Sequence, residues 1–136
     1  MSGSPVVALR RAMRVALLAD AALSARLGAN FVFDEAPAHV TPPYICFADV
    51  ASRDWSTCSD SGDEHTVTLD VWSQHHGVRE AAEIAELARA ALDDASLALV
   101  GHRLVSLRFQ TAQSAREKSG RYARVSLKFR AVTERL

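Results

Sequence analysis

Between Thr66 and Leu92 the chain reads TVTLDVWSQHHGVREAAEIAELARAAL, and within it the apolar repeat changes from every second residue to about every 3.6 residues. Val67, Leu69 and Val71 alternate with Thr66, Thr68, Asp70 and Trp72, the pattern of a strand with one buried face. Past the joint at His75, His76 and Gly77, one helical stripe carries Ala81, Ile84, Ala85, Ala88, Ala91 and Leu92. Arg79, Glu83, Glu86 and Arg89 lie away from it. A strand passed directly to an amphipathic helix requires a sheet with a helical layer over it.

The flanking segments fit that requirement. Ser4 before Pro5 is a helix start, because serine can accept from the free N–H groups and proline loses no bond at the first helical position. Val6, Leu9, Met13, Ala16 and Leu17 then recur at helical spacing, opposite Arg10, Arg11 and Arg14. The helix is expected to break near Asp20 into a second short turn that closes at Gly28. Phe31, Val32 and Phe33 form a short strand-like run, and EAPAHVTPP, with its three prolines, is a connecting loop. Tyr44 to Val50 reads as a strand. Residues Ala51 to Glu64, polar and rich in serine and aspartate, read as a long hairpin connection with Trp55 as their one large apolar side chain. Leu97 to Gly101 is a turn. From Arg103 the alternation returns, with Val105, Leu107 and Phe109 on one face. A polar stretch, QSAREKSGR, follows. The last run sets Ala123, Val125, Leu127, Phe129 and Ala131 against Arg124, Ser126, Lys128 and Arg130.

These elements predict an α+β fold, an antiparallel sheet of four to five strands with two main helices packed on one face, formed by residues 1–136 as a single domain. Sixteen basic residues balance sixteen acidic ones, which argues against a dedicated duplex-binding surface. No apolar run is long enough for a membrane span. The arginines inside the N-terminal apolar pattern do not suit a secretory signal, so a soluble cytoplasmic product is expected. Cys46 and Cys58 are read as free thiols.

The chemistry-bearing residues point to no reaction. His75 and His76 are adjacent and diverge on either a strand or a helix, so they do not share a metal. His65 and His102 stand alone and read as surface or edge residues. Glu80, Glu83 and Glu86 drift across the solvent side of their helix among arginines. There is no nucleophile elbow, phosphate-binding loop or dinucleotide fingerprint. No catalytic residue, cofactor or metal is therefore expected. Two basic stripes, Arg10, Arg11 and Arg14 on the first helix and Arg124, Lys128 and Arg130 on the last strand, are either solvated faces or contacts to a partner, a protein partner before DNA.

The order of landmarks resembles a known family. Pro42, Pro43, Tyr44 and Ile45 enter a strand, Trp55, Ser56 and Thr57 lie in the next connection, and Gly62 precedes the following strand. Leu69, Asp70, Val71, Trp72 and Ser73 lead to Gly77 and the alanine-rich helix, and Leu99, Gly101, Leu104 and Val105 precede the final alternating strand. From the first helix to about Val132 this is similar to the small tail-completion or tail-terminator proteins of long-tailed phages, in a version similar to that of gene transfer agents. The resemblance implies a structural, non-enzymatic protein made in the host cytoplasm and built into a virion or phage-like particle. It would form a ring, commonly of six subunits, that caps the head-proximal end of the tail tube, ends tube polymerisation and docks the head-completion or stopper protein. DNA would pass through without specific binding, and no membrane or cofactor is involved. On that reading Trp55, Arg116, Glu117 and Lys118 lie in ring or tube contacts, since aromatic and arginine side chains commonly anchor interfaces. Trp72 either packs under another helix or meets a neighbouring subunit. The alternatives are another head–tail connector or stopper protein, or a small-molecule-binding α+β domain with a pocket under the first helix.

Overall fold

The computed structural model describes residues 4–28, 31–35, 41–58, 61–74, 78–116 and 122–136. Helix α1 (Pro5–Ala19) starts as its sequence requires: the Ser4 hydroxyl accepts from the Val7 N–H at 3.4 Å and Pro5 occupies the first turn. Asp20 ends α1 and begins α2 (Ala21–Leu27), its carboxylate accepting from the Leu23 N–H at 3.0 Å. Gly28 then leaves the helix with φ of 80°, a conformation glycine reaches without a Cβ clash.

Strands β1 (Val32–Phe33), β2 (Tyr44–Asp54) and β3 (Gly62–Ser73) precede helix α3 (Arg79–Leu92), and β4 (Ala98–Leu99), β5 (His102–Arg116) and β6 (Ala123–Arg135) follow it. They form one sheet in the order β1-β2-β3-β6-β5-β4. The α+β class stands, with one correction: among the described residues the sheet has six strands and is mixed, because β1 runs parallel to β2; the short α2 after Asp20 is the expected second turn closing at Gly28. The strand-like run expected at Phe31–Phe33 is β1, whereas β4, only two residues long, lies inside the expected turn Leu97–Gly101.

A single apolar cluster lies between the helices and one face of the sheet. Leu9, Met13 and Leu17 of α1 and Ala81, Ile84, Ala85, Ala88 and Leu92 of α3 meet Ile45 and Phe47 of β2, Val67, Leu69 and Val71 of β3, and Val125, Leu127 and Phe129 of β6. Each large aliphatic side chain removed from water here contributes about 1.5–3 kcal/mol. Arg26 of α2 and Glu83 of α3 form an ion pair beside this layer, and Arg79 joins Glu83 at 3.1 Å.

Parts of the two expected long loops are strand. Ala51–Asp54 continue β2 and pair with Asp63–Thr66, and Thr111–Arg116 continue β5 and pair with Ala123–Lys128. Backbone pairing holds these segments although most of their side chains are exposed, so no apolar alternation marks them. Val105 is another correction. The register shifts between Leu104 and Ser106, so Leu104 and Leu107 both reach the core while Val105 is turned out to 49 % exposure.

Candidate functional site

The alternation that buries one face of the sheet presents the other as a polar surface. Across β2, β3, β6 and β5, Arg53, Glu64, Val132 and Ser106 form one row, followed by Ala51, Thr66, Arg130 and Arg108. Near the opposite end, Cys46, Asp70, Ser126 and Gln113 form a row, and the Ser126 hydroxyl donates to the Asp70 carboxylate at 2.6 Å. Tyr44, Trp72, Arg124 and Ala115 make the last of these rows.

Trp55 lies just past the end of β2, 45 % exposed, and it is held by an organised group. The Arg53 and Arg130 guanidiniums each sit 5.2 Å from its ring centroid. Their Nε atoms donate to the two oxygens of Glu64, at 2.6 and 2.5 Å. The hydrogen bond from Arg53 holds the Glu64 carboxyl below the ordinary carboxylate range, with Arg130 adding to it against the opposing effect of burial. One carboxylate thus fixes two arginines against an exposed indole. Guanidiniums stacked on an aromatic ring are attracted to its electron-rich face, and fixing them in advance reduces the entropy lost when a partner binds.

The other expected contact residues lie elsewhere. Trp72 is half-buried on the helix-free face, opposite Val67, Leu69 and Val71 as the alternation requires, and it rests beside Arg124 at 5.5 Å instead of under a helix. Arg116 is exposed at the end of β5, next to the Trp72 row and at the end of the sheet away from Trp55. Glu117, Lys118, His75, His76 and Gly77 lie outside the described residues. The arrangement therefore brings Trp72 and Arg116 to one end of the sheet and Trp55 to the other. Glu64, which organises the Trp55 group, escapes a sequence reading that treats residues 51–64 as a loop. Its signal is the pair Arg53 and Glu64, which face each other once the hairpin register is known.

Two expectations about charged residues change. Arg10 and Arg14 are not a solvated stripe: Arg10 pairs with Asp34 at 3.3 Å and lies 5.2 Å from the Phe47 ring, and the Arg14 Nε donates to the Val32 carbonyl at 3.2 Å. A cleft of about 450 Å3 runs beside α1 and β1, lined by Val7, Arg11, Phe33 and Glu35 with these residues, and the half-buried Arg10 and Arg14 already have partners within the protein. His65 and His102 are buried, not surface residues, because the alternation that buries Val67 and Leu69 also turns His65 inward. His65 Nδ1 lies 2.6 Å from the Ser52 hydroxyl and its Nε2 2.9 Å from the Thr133 hydroxyl, while His102 Nδ1 meets the Val100 carbonyl at 3.1 Å. Among the described residues no group of three histidine, cysteine, aspartate or glutamate side chains is placed to hold a metal ion, and no helix is long and apolar enough to cross a membrane.

Residues 11–134 match the family described as tail completion protein gp17. The chain belongs to that family. A solved structure described as the virion of a native gene transfer agent particle contains a chain with the same fold, at a TM-score of 0.89 and 30 % sequence identity. The match covers 98 % of this chain and 99 % of that one, so the likeness of fold extends over nearly the whole length of both. No curated protein matches the sequence. A tail completion protein is a structural component of a virion or phage-like particle, and the expected family and location both stand.

Proposed function

We propose that this tail completion protein is the tail terminator of a phage-like particle, a tailed phage, prophage or gene transfer agent. On this reading its copies form a ring, six in number, on the head-proximal end of the tail tube. The ring ends tube polymerisation and presents a surface to the head-completion or stopper protein, and DNA passes through it without sequence-specific contacts. The observation that carries the reading is the end-to-end match to a chain of a gene transfer agent virion, together with membership of the tail completion family.

The fold supports it in physical terms. A helix layer on one face of a sheet gives a rigid subunit with two distinct outer surfaces, and closed rings are built by repeating one such heterologous contact. The residues proposed for ring or tube contacts are Trp55, Trp72, Arg116, Glu117 and Lys118. Of these, Trp55 has the surroundings typical of an interface anchor, an exposed aromatic ring held between arginines.

Deleting the gene and imaging the particles tests the proposal. Tails that vary in length and fail to join heads are the expected result, with complementation restoring both. Tails of normal length joined normally to heads in the deletion strain would refute it. Heads that leak DNA while tails keep their length would favour the connector or stopper reading instead.

A further inference from the structure

The sheet has two outer edges, and among the described residues each is covered along only part of its length. On β2, Ile45 and Cys46 pair with β1, and past the register shift between Phe47 and Val50 nothing among the described residues covers Val50–Asp54 on the outer side. On β5, β4 pairs with His102 and Arg103. The turn after α3 then covers the next stretch: the Asp94 N–H donates to the Leu107 carbonyl at 2.8 Å, and the Asp93 carboxylate accepts from the Phe109 N–H at 2.9 Å. Past the register shift between Phe109 and Thr111, Thr111–Arg116 pair with β6 on one side and with no described residue on the other.

An unused strand edge is ordinarily blunted by lysine, proline, a bulge or a covering segment, because its free N–H and C=O groups recruit other strands. Along other parts of both edges β1, β4 and the turn after α3 supply such cover, and among the described residues no segment covers these two. They contain no lysine and no proline, and Ala51, Ser52, Ala112, Ser114 and Ala115 are small. Their side chains are almost all exposed. Neither carries a charge that would repel the other strongly: Thr111–Arg116 has one arginine, and in Val50–Asp54 Asp54 offsets Arg53, which is already bound to Glu64.

We propose that the Val50–Asp54 edge of one copy pairs with the Thr111–Arg116 edge of a second copy, antiparallel, so that the sheet runs on from subunit to subunit. This names the contact within the ring proposed above and rests on that reading. The strand directions require the antiparallel sense, because β2-β3, β3-β6 and β6-β5 are each antiparallel, so the next β2 continues the alternation. Keeping core-side residues on one face sets Ala112 opposite Asp54, Ser114 opposite Ser52 and Ala115 opposite Ala51. The two segments lie at opposite corners of the sheet, and in this register the second copy is shifted along the strands by six rows. Six rows are about 20 Å, and the four strands of one copy span about 19 Å across. The strands would then incline by about 45° to the ring axis, at the upper end of the roughly 35–45° found in closed barrels. The offset therefore favours closure into a ring over a flat ribbon.

The test uses charge exchange at the facing pair Ala51 and Ala115 in particles made from the full chain. With lysine at both positions, Ala51→Lys with Ala115→Lys, like charges face each other at every contact. Completed particles should fall by at least about tenfold, while the isolated subunit keeps its circular dichroism and melting temperature. The pair Ala51→Glu with Ala115→Lys should return the yield to within about twofold. In a Cys58→Ser background, Ala51→Cys with Ala115→Cys should give a disulfide-linked ladder from oxidised particles. Normal yield with both lysines, or no ladder from particles whose rings are visible by electron microscopy, would overturn the edge contact and leave the ring intact. Particles in which this protein forms no ring would overturn the underlying reading instead.

Discussion

Thr133 Oγ1 lies 2.9 Å from His65 Nε2 inside the fold, and the two side chains, one from β6 and one from β3, are 1 % and 0 % exposed. The Ser52 hydroxyl holds the other ring nitrogen at 2.6 Å, so β2, β3 and β6 are tied through one imidazole. Burial pushes the His65 pKa below its ordinary value; nearby Asp63 opposes this and His102 reinforces it. The folded chain therefore resists a proton that the unfolded chain accepts at about pH 6.5. The stability linked to His65 is fully present above that pH and is lost as pH falls through the lower folded value. Melting temperatures recorded from pH 8 to pH 5 should fall at the acid end, and a His65→Gln variant should show a shallower fall than the unaltered protein. Equal slopes would mean that other groups carry the acid sensitivity.

What the sequence makes legible is what burial shapes. Thr66–Ser73 and Ala123–Ala131 alternate visibly because one face of each is in the core, and α1 and α3 show their stripes for the same reason. The ends of β2 and β5 give no such signal. Ala51–Asp54 and Thr111–Arg116 are strands through their backbone pairing alone, and polar or small side chains exposed on both faces look the same in a loop. Val105 misleads because a bulge reverses the alternation at one position. The Trp55 group was half legible: Trp55 stood out, but Arg53, Glu64 and Arg130 converge only through the registers of three strands.

Gly62 marks a close approach of backbones. A Cβ at this position would lie 3.0 Å from the Thr133 carbonyl oxygen and 3.4 Å from that of Trp55, and neither backbone can move without disturbing the pairing of β3 with its neighbours. Gly62→Ala should destabilise the protein by about 1–3 kcal/mol, as overpacking does elsewhere. Urea denaturation should show this as a lower midpoint with an unchanged slope. An unchanged midpoint would mean that the Trp55 and Thr133 segments give way easily.

Asp93 ends α3 and covers the edge of β5. Its carboxylate accepts from the Phe109 N–H at 2.9 Å and lies 3.4 Å from Arg108. Asp93→Ala leaves that amide without its charged acceptor, and a hydrogen bond of this kind contributes about 1.5–3 kcal/mol. The expected readings are a lower denaturation midpoint and faster hydrogen exchange at the Phe109 amide. Exchange as slow as before would show that the turn protects the edge without the carboxylate.

Glu64 gives a sharper test of the Trp55 group, because removing its charge leaves the indole and both arginines in the chain. In Glu64→Gln one amide oxygen can accept from only one guanidinium fully, and the other arginine is released to solvent. Trp55 then loses a cation from one side of its ring and becomes more accessible. The fluorescence of Trp55, isolated in a Trp72→Phe background, should be quenched more readily by acrylamide in Glu64→Gln than with Glu64 present. If the group anchors an assembly contact, the same variant should also lower particle yield while the subunit stays folded, because a mobile arginine and indole lose more entropy on binding than a fixed pair. Unchanged quenching would show that Arg53 and Arg130 stay against the ring without their shared carboxylate. Increased quenching with normal particle yield would place the group outside the assembly contacts.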